Sequence, residues 1–259
     1  MNWNDISKYY DWEFDLICTN QREDIIIWKT LATEFGGPIL EICCGSGRIT
    51  EELCNNNHKI TAIDNSKGML DKLRAKHLPG LEIINSDMTT FSLNKKFKFV
   101  FISYSSFQQL LTLDEQISCL NNIHKHLENE GILAMDINPR ICEGEDILPR
   151  TQAYTANYPI NNSTVTMYTS HRIDMINQIK HWRDEYLEID ENGEEQRTYV
   201  EISLKECSLD YMKLLFEKCG FEIISIFGDF DKGEVTEDSD NLIYMVRKTS
   251  CLRFSKTEL

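Results

Sequence analysis

Short apolar runs alternate with segments of helical periodicity over residues 36–140, and this alternation predicts the fold. Five runs have the length of β-strands, at residues 39–43, 59–64, 81–85, 97–104 and 131–137. Strands that alternate with helices form a parallel sheet that is covered on both faces. We therefore predict a doubly wound, mostly parallel, Rossmann-like α/β sheet. The run 97–104 is expected at its centre because it is apolar on both faces.

Two flanking regions follow other patterns. Residues 1–35 are amphipathic with a helical period and end at Gly36-Gly37-Pro38, which predicts an N-terminal helical cap. Residues 151–204 are rich in Thr, Tyr and Val, and they predict antiparallel strands at 164–172, 178–189 and 197–204. A helix that Ser208 caps and two further strands, at 222–230 and 241–248, bring the predicted sheet to seven strands.

These patterns divide the chain into five segments. A helical cap (1–35) precedes a Rossmann-like core (36–140), and a small antiparallel β insertion (141–205) follows the core. A C-terminal helix with two strands (206–248) completes the sheet, and a tail (249–259) ends the chain.

The charge of the chain narrows the class of its partners. Its 259 residues include 27 Lys and Arg against 42 Asp and Glu, which gives a formal net charge of −15. A field of this sign repels phosphate backbones and anionic membrane surfaces. We therefore predict neither a nucleic-acid nor a membrane partner, and we expect a small-molecule substrate.

Cysteine and histidine positions indicate no metal site. The nine cysteines form no C-x-x-C pair and no zinc-like spacing, which predicts reduced thiols. His124 and His126 are two residues apart on a predicted helix, so they face different directions and are expected at the surface. The N-terminus lacks the pattern of a signal peptide, and no apolar run approaches the roughly 20 residues of a membrane span. A cytoplasmic protein is expected.

One strand–turn–helix segment carries candidate chemistry. Residues 39–47 read ILEICCGSG, in which Gly45 and Gly47 permit a turn with positive φ and let a ligand approach the backbone. The following helix offers free N–H groups to an anion, either a carboxylate or a phosphate. Asp64 ends the second strand, 17 residues after Gly47, where a carboxylate can accept both hydroxyls of a ribose. Asp87 follows the third strand, where a carboxylate can accept an adenine amine.

Two kinds of ligand fit this segment to different degrees. A nicotinamide dinucleotide favours G-x-G-x-x-G, and Thr50 stands where the third glycine would be. A cofactor with a ribose, an adenine and an amino-acid tail, but no phosphate, agrees better with Glu41 beside the turn.

The motifs together resemble those of the class I S-adenosylmethionine-dependent methyltransferases. The resemblance rests on LEICCGSG, on Asp64, on Ser86-Asp87-Met88 and on GILAMDINP at the fifth strand, and it covers about residues 5–248. Cys43 replaces the first glycine of the usual motif. Tyr9-Tyr10-Asp11 and the β insertion are most similar to small-molecule enzymes that methylate amino sugars or glycine on nitrogen.

The resemblance implies S-adenosylmethionine as cofactor, S-adenosylhomocysteine as product, and a role for each matching residue. Gly45 and Gly47 would wrap the methionine part, with Glu41 behind them, and Ser103 would lie beneath the sulfonium. The remaining positions would contact the ribose (Asp64), line the adenine (Asn65, Met69, Asp87, Met88) or close over the cofactor (Tyr10).

The candidate catalytic residues depart from the amino-sugar enzymes at one position. Those enzymes carry a histidine after the fourth strand, and Gln109 replaces it here. Glutamine can orient a substrate but cannot take a proton. We therefore predict catalysis by proximity and desolvation, with Tyr104 or Gln109 orienting the acceptor. A histidine of the insertion, His171 or His181, is the rival candidate as a base.

Several alternatives stay open from sequence. The acceptor atom is nitrogen or oxygen, and carbon is not excluded. A nicotinamide-dependent oxidoreductase and a non-catalytic S-adenosylmethionine-binding protein are the competing functions. Residues 151–204 and the first 20 residues are expected to enclose the acceptor, because both are aromatic-rich. The competing interpretation has the insertion pack on a second copy in a homodimer.

Overall fold

The computed structural model describes residues 3–17 and 23–249 of the chain. Within them, the helices are α1 (Trp3–Ile17), α2 (Glu23–Phe35), α3 (Arg48–Asn55), α4 (Lys67–Ala75), α5 (Leu113–His126) and α6 (Leu209–Lys218). The strands are β1 (Ile39–Ile42), β2 (Ile60–Asp64), β3 (Leu81–Asn85), β4 (Phe97–Ile102), β5 (Leu127–Ile137), β6 (Ile147–Tyr158), β7 (Ser163–Asp174), β8 (Ile179–Ile189), β9 (Glu195–Lys205), β10 (Phe221–Phe227) and β11 (Leu242–Lys248). The tail predicted at 249–259 lies outside the described residues except for Thr249.

Seven strands form the predicted Rossmann-like sheet, in the order β10–β11–β5–β4–β1–β2–β3. The five strands from β5 to β3 are parallel, and β11 runs antiparallel to both of its neighbours. β4 lies at the centre, as its apolar faces predicted. Apolar side chains pack on both faces of the sheet; Trp28 of α2, for example, stacks on Phe101 at 5.2 Å between ring centroids.

The second sheet has four antiparallel strands in the order β6–β7–β8–β9, one more than predicted. β6 was missed because it is an edge strand with mostly exposed side chains and a proline, Pro149. The inner face of this insertion sheet packs on α1, where Tyr9 stacks on Tyr186 at 4.8 Å between ring centroids.

Local geometry corrects several predicted boundaries. The predicted cap is two helices, α1 and α2, and the segment between them lies outside the described residues. β4 ends at Ile102 instead of residue 104, because Tyr104 and Ser105 adopt φ angles of 58° and 53°. Ser66 caps α4 as part of the predicted pattern, and its Oγ accepts the N–H of Met69 at 3.3 Å.

The prediction of a surface position for His126 is wrong. Its ring is buried, Nε2 accepts the N–H of Leu93 at 2.9 Å, and Nδ1 lies 2.8 Å from the carbonyl oxygen of Asn122.

No described helix is long and apolar enough to cross a membrane. The described residues also contain no cluster of side chains that could hold a metal ion.

Candidate active site

A cavity of about 920 Å³ opens at the carboxyl ends of β1, β2, β4 and β5. The sheet order reverses direction between β1 and β4, and open α/β sheets bind ligands at such a switch point. Residues of α1, of the insertion sheet and of the loop 228–241 complete the cavity wall. The topology therefore brings three distant parts of the chain to one site.

The turn after β1 approaches the cavity with its backbone. Gly47 has a φ of 85°, and a Cβ atom there would lie 2.2 Å from Cδ1 of Leu73, so the Leu73 side chain of α4 would have to move. Gly45 has a φ of 55°, and a Cβ atom there would meet no atom within 4 Å. Cys43 keeps a φ of 60° where the family motif has glycine. The turn thus holds a cysteine in a left-handed conformation that favours glycine.

Asp64 connects this turn to the start of α4. Its Oδ2 accepts the N–H of Gly45 at 2.9 Å, and its Oδ1 accepts the N–H of Ser66 at 2.8 Å. Burial raises the pKa of the carboxyl, and the backbone hydrogen bonds oppose this shift. The next residue, Asn65, and the buried Met69 also line the cavity.

Glu41 lies behind the turn and is 1% exposed. Its Oε2 accepts a hydrogen bond of 2.6 Å from Oγ1 of Thr50, the residue at the position of the third dinucleotide glycine. Burial raises the pKa of Glu41 to about 8, although the bond from Thr50 opposes the shift. Thr50 therefore fixes the Glu41 side chain in the cavity wall.

The two residues after β3 have different positions. Met88 lines the cavity, and its Sδ lies 3.8 Å from Sγ of Cys43. Asp87 is not among the lining residues; its Oδ1 accepts the N–H of Thr89 at 2.8 Å and also the hydroxyl of Thr89. The structure places Asp87 next to the site and directs its carboxylate to the local turn.

Asp136, near the end of β5, holds the turn that follows β4. Its Oδ1 accepts the N–H of Tyr104 at 2.7 Å, and its Oδ2 accepts the N–H of Ser105 at 2.8 Å. Burial raises the pKa of Asp136 to about 6. Sequence reasoning gave this residue no role, although an acidic residue in the apolar strand GILAMDINP was a signal for one.

Ser103, Tyr104 and Gln109 all line the cavity after β4. Ser103 is 6% exposed, and its hydroxyl makes no hydrogen bond to any described residue. Gln108 is fully buried and structural: Nε2 donates to the carbonyl oxygens of Asn138 at 2.9 Å and Lys205 at 2.8 Å. The two adjacent glutamines thus have separate positions, one facing the cavity and one joining the insertion sheet to the core.

The predicted rival base does not line the cavity. Nε2 of His171 lies 3.0 Å from the carbonyl oxygen of Glu145. His181 also lies outside the lining, with Nδ1 2.8 Å from Oγ of Ser203. Both imidazole rings are therefore hydrogen-bonded to residues within the insertion, 141–205.

Helix α1 forms part of the cavity wall. Trp3 and Tyr10 line it, and burial raises the pKa of Tyr10. Asp11 accepts hydrogen bonds from Oγ of Ser46 and, at 3.2 Å, from Nζ of Lys72. These contacts hold α1 against the glycine turn and α4.

Two carboxylates join α1 to the insertion sheet. Oε2 of Glu188 accepts from the Tyr9 hydroxyl at 2.5 Å and from Nζ of Lys8 at 2.8 Å. Glu13 accepts from the hydroxyls of Tyr186 at 2.6 Å and Tyr154 at 2.9 Å. Several aromatic side chains expected around the acceptor therefore pack between α1 and the sheet.

Arg48 and Asp184 line the cavity without a predicted role, whereas Trp182 was expected among the aromatic side chains around the acceptor. Arg48 pairs through both terminal nitrogens with Asp24, and its guanidinium lies 4.7 Å from the ring centroid of Phe14. Trp182 and Asp184 face the cavity from β8. Trp182 and Asp184 are two residues apart in β8, so their side chains lie on the same face of the sheet. The sequence shows this alternation, but which face meets the cavity depends on how the insertion sheet packs on the core.

Residues 39–131 match the family described as "Methyltransferase domain". A putative methyltransferase of Bacillus subtilis (strain 168), YqeM, is 24% identical over 230 residues, which cover 87% of this chain and 90% of that protein. The dTDP-3-amino-3,4,6-trideoxy-alpha-D-glucopyranose N,N-dimethyltransferase of Streptomyces venezuelae is 29% identical over 116 residues, 45% of this chain and 48% of that protein.

A solved structure shares the fold over nearly the whole chain. It is that of an S-adenosylmethionine-dependent methyltransferase from Clostridium acetobutylicum ATCC 824, with a TM-score of 0.76. The alignment covers 93% of this chain and 98% of that chain, at 15% sequence identity. At that identity the likeness demonstrates the common fold.

Proposed function

We propose that this chain, which belongs to the S-adenosylmethionine-dependent methyltransferases, transfers a methyl group to a nitrogen or oxygen atom of a small metabolite. The observation that carries the proposal is the single cavity of about 920 Å³. It runs from the glycine turn after β1, past the end of β4, to the inner face of the insertion sheet. A cofactor and a small acceptor would therefore meet in one enclosed space.

The residues at the glycine-turn end suit S-adenosylmethionine. Backbone N–H groups orient the carboxylate of Asp64, which lines the cavity, and an oriented carboxylate suits the two hydroxyls of a ribose. Met69 and Met88 supply apolar walls for an adenine, with Asn65 at its edge. Gly45 leaves space beside the backbone for the amino-acid tail.

A dinucleotide suits this end less well. Its pyrophosphate would lie at the start of α3, close to the Asp64 carboxylate. Thr50 occupies the position where the dinucleotide motif has glycine, and its hydroxyl is bonded to Glu41. Like charges and lost space therefore both disfavour a nicotinamide cofactor.

S-adenosylmethionine supplies, when bound, a methyl group on a positively charged sulfur; the methyl carbon is open to attack by a lone pair of the acceptor, with the sulfur as leaving group. Ser103 and Tyr104 form the cavity wall at the end of β4, and Gln109 supplies an amide that can orient an acceptor but cannot take its proton. With His171 bonded elsewhere, the chain's contribution is to align the reacting atoms and to exclude water. Tyr10 and the rest of α1 would close the site around them.

Calorimetry tests the cofactor assignment. We expect S-adenosylmethionine and S-adenosylhomocysteine to bind, and NAD to bind far more weakly. Asp64→Ala should weaken binding by about 1.5–3 kcal/mol, because charge-assisted bonds to the ribose are lost. Asp71→Ala is the matched control, since Asp71 lies on the exposed surface of α4 and pairs with Arg74. Tighter binding of NAD, or equal binding by the Asp64 variant, would contradict the assignment.

A further inference from the structure

The part of the cavity away from the glycine turn is strongly acidic. We call it the acceptor end and define it by the ends of β4 and β5, by β8 and β9, and by the loop 228–241. Six carboxylate residues line it: Asp136, Asp184, Asp229, Glu234, Asp238 and Asp240. Among the described residues, no lysine, arginine or histidine lines this end. Arg48, the basic residue that lines the cavity, belongs to α3 and is paired with Asp24.

Three of these carboxylates have partners that fix them. Asp136 accepts the backbone N–H groups of the turn after β4. Asp229 accepts two N–H groups of its own loop, and Asp240 pairs with Arg140 at 2.8 Å. These contacts orient the three carboxylates, and Arg140 compensates the charge of Asp240.

Asp184 is different, because it is half-buried with a single partner. Oγ1 of Thr169 donates to its Oδ1 at 2.6 Å, and its Oδ2 makes no hydrogen bond within the described part of the chain. Burial raises the pKa of Asp184, so the ionised carboxylate is costly at this position unless a ligand compensates it. Glu234 and Asp238 add two carboxylates that make no ion pair with any described residue. The uncompensated charge at this end is negative.

Two other side chains point to what would compensate it. Trp182 lies two residues before Asp184 on the same face of β8, and it also lines the cavity. An indole ring attracts a cation through its face, and Nζ of Lys180 already lies 4.8 Å from the centroid of this ring. The Ser103 hydroxyl, nine-tenths buried at the end of β4 and without a partner, can accept an N–H.

We infer that the acceptor is a small organic amine without phosphate or carboxylate groups, and that Asp184 recognises its ammonium form. This inference rests on the proposed function, because it concerns the acceptor of the same methyl transfer. The bound ammonium loses one proton to water, and its nitrogen lone pair then forms the new N–C bond. The C–S bond of the donor breaks with its electron pair on sulfur, and the product is an N-methylated ammonium.

The acceptor that we infer differs from that of a named relative. The enzyme of Streptomyces venezuelae acts, by its name, on an amino sugar linked to dTDP, which carries a diphosphate. A diphosphate at the acceptor end would face Asp184, Glu234 and Asp238. The cations beside this end do not line the cavity: Lys180 lies over the Trp182 ring, and Arg140 pairs with Asp240. Such like-charge contacts disfavour a nucleotide-linked acceptor.

Methyl-labelled S-adenosylmethionine provides the test, because the acceptor need not be known beforehand. A small-molecule extract of the cells that naturally produce the protein is sorted into cation-exchange-retained, anion-exchange-retained and unretained fractions. Each fraction is incubated with the protein and the labelled cofactor. We expect the label in a small molecule of the cation-exchange-retained fraction, as an N-methyl group.

Variants identify the recognising residue. Asp184→Asn should slow labelling at limiting acceptor by about 10-fold or more, because a charge-assisted hydrogen bond is lost. Glu201→Gln is the matched control: it removes the same charge from the opposite face of the same sheet, one residue from the cavity-lining Ile202. It should label at the wild-type rate. Calorimetry should give both variants the wild-type affinity for S-adenosylhomocysteine, which shows that they are folded.

The outcomes distinguish the inference from the proposed function. Label in the anion-exchange-retained or unretained fraction, with S-adenosylhomocysteine bound, overturns the amine inference and leaves the methyltransferase function intact. An Asp184→Asn protein that labels like the wild type overturns the role of Asp184. Absence of label from every fraction contradicts the proposed transfer to a small metabolite, and the inference with it.

Discussion

The Asp136 carboxylate holds the backbone of Tyr104: its Oδ1 accepts the Tyr104 N–H at 2.7 Å, across from β5 to the end of β4. Tyr104 and the next residue, Ser105, both have positive φ, which non-glycine residues adopt at a cost. Because the carboxylate accepts both N–H groups, it offsets that cost and sets the shape of the wall beside the predicted methyl-transfer position.

Asp136→Asn should therefore destabilise the protein. An asparagine can accept one of the two N–H groups, but its NH₂ group would then face the other. We expect a loss of about 1–3 kcal/mol in the free energy of unfolding, measured by urea denaturation. Ser105→Ala is the control, since it removes only a hydroxyl 3.4 Å from the carboxylate. Equal stability of Asp136→Asn and wild type would show that the turn does not depend on this carboxylate.

Glu41 should make stability depend on pH in a defined direction. Burial raises its folded-state pKa to about 8, against about 4.3 in an unfolded chain. Between these values the folded protein holds a proton that the unfolded chain has released. The contribution of Glu41 is therefore fully present below about pH 4.3 and is lost as the pH rises through 8.

Glu41→Gln removes this titration and keeps an oxygen for Thr50. We expect its free energy of unfolding to decline less than that of the wild type between about pH 5 and 8, in denaturation curves measured at several pH values. Glu217→Gln, at an exposed position on α6, is the control and should follow the wild type. Parallel curves for Glu41→Gln and wild type would contradict the raised pKa.

The Glu188 carboxylate should control how stably α1 packs on the insertion sheet. Burial raises its pKa, but hydrogen bonds from Lys8, Tyr9, Asn161 and Ser163 outweigh this and lower the pKa to about 2. Glu188→Gln loses the charge that strengthens these bonds. We expect amide hydrogen exchange in α1 to accelerate by about tenfold or more, while the central strands keep their protection. The control is Glu191→Gln in the exposed turn after β8. If the exchange rates in α1 are the same in Glu188→Gln and wild type, Glu188 does not hold α1 on the insertion sheet.

The adjacent glutamines allow a test of the orienting role. Gln109→Ala should slow methyl transfer by about 5- to 150-fold, the effect of losing a hydrogen bond of about 1–3 kcal/mol, without lowering stability. Gln108→Ala should instead lower the unfolding free energy, because its buried amide bonds Asn138 and Lys205. The rate–pH profile of Gln109→Ala should keep the shape of the wild-type profile. An ionising enzyme group in that profile, removed by replacing His171 or His181, would support a base instead.

The sequence predicted the site residues that lie in the turn directly after a strand. Gly45, Gly47 and Asp64 were found because parallel strands place their following turns at one edge of the sheet. β6 was missed because its polar, exposed residues resemble a loop. Such an edge strand is recognised only through its pairing with β7.

The acceptor end could not be predicted in the same way. Asp184 and the loop 228–241 reach the cavity through the placement of the insertion sheet and of β11, which are long-range contacts. The buried His126 was mispredicted because its partner, the N–H of Leu93, lies 33 residues away. Helical spacing gives no information about such a partner.

A crystal structure with S-adenosylhomocysteine bound tests the central claim most directly. We expect both ribose hydroxyls within hydrogen-bond distance of the Asp64 carboxylate, the adenine between Met69 and Met88, and the sulfur facing Ser103 and the acceptor end. A product bound elsewhere, or a ribose that makes no contact with Asp64, would contradict the account.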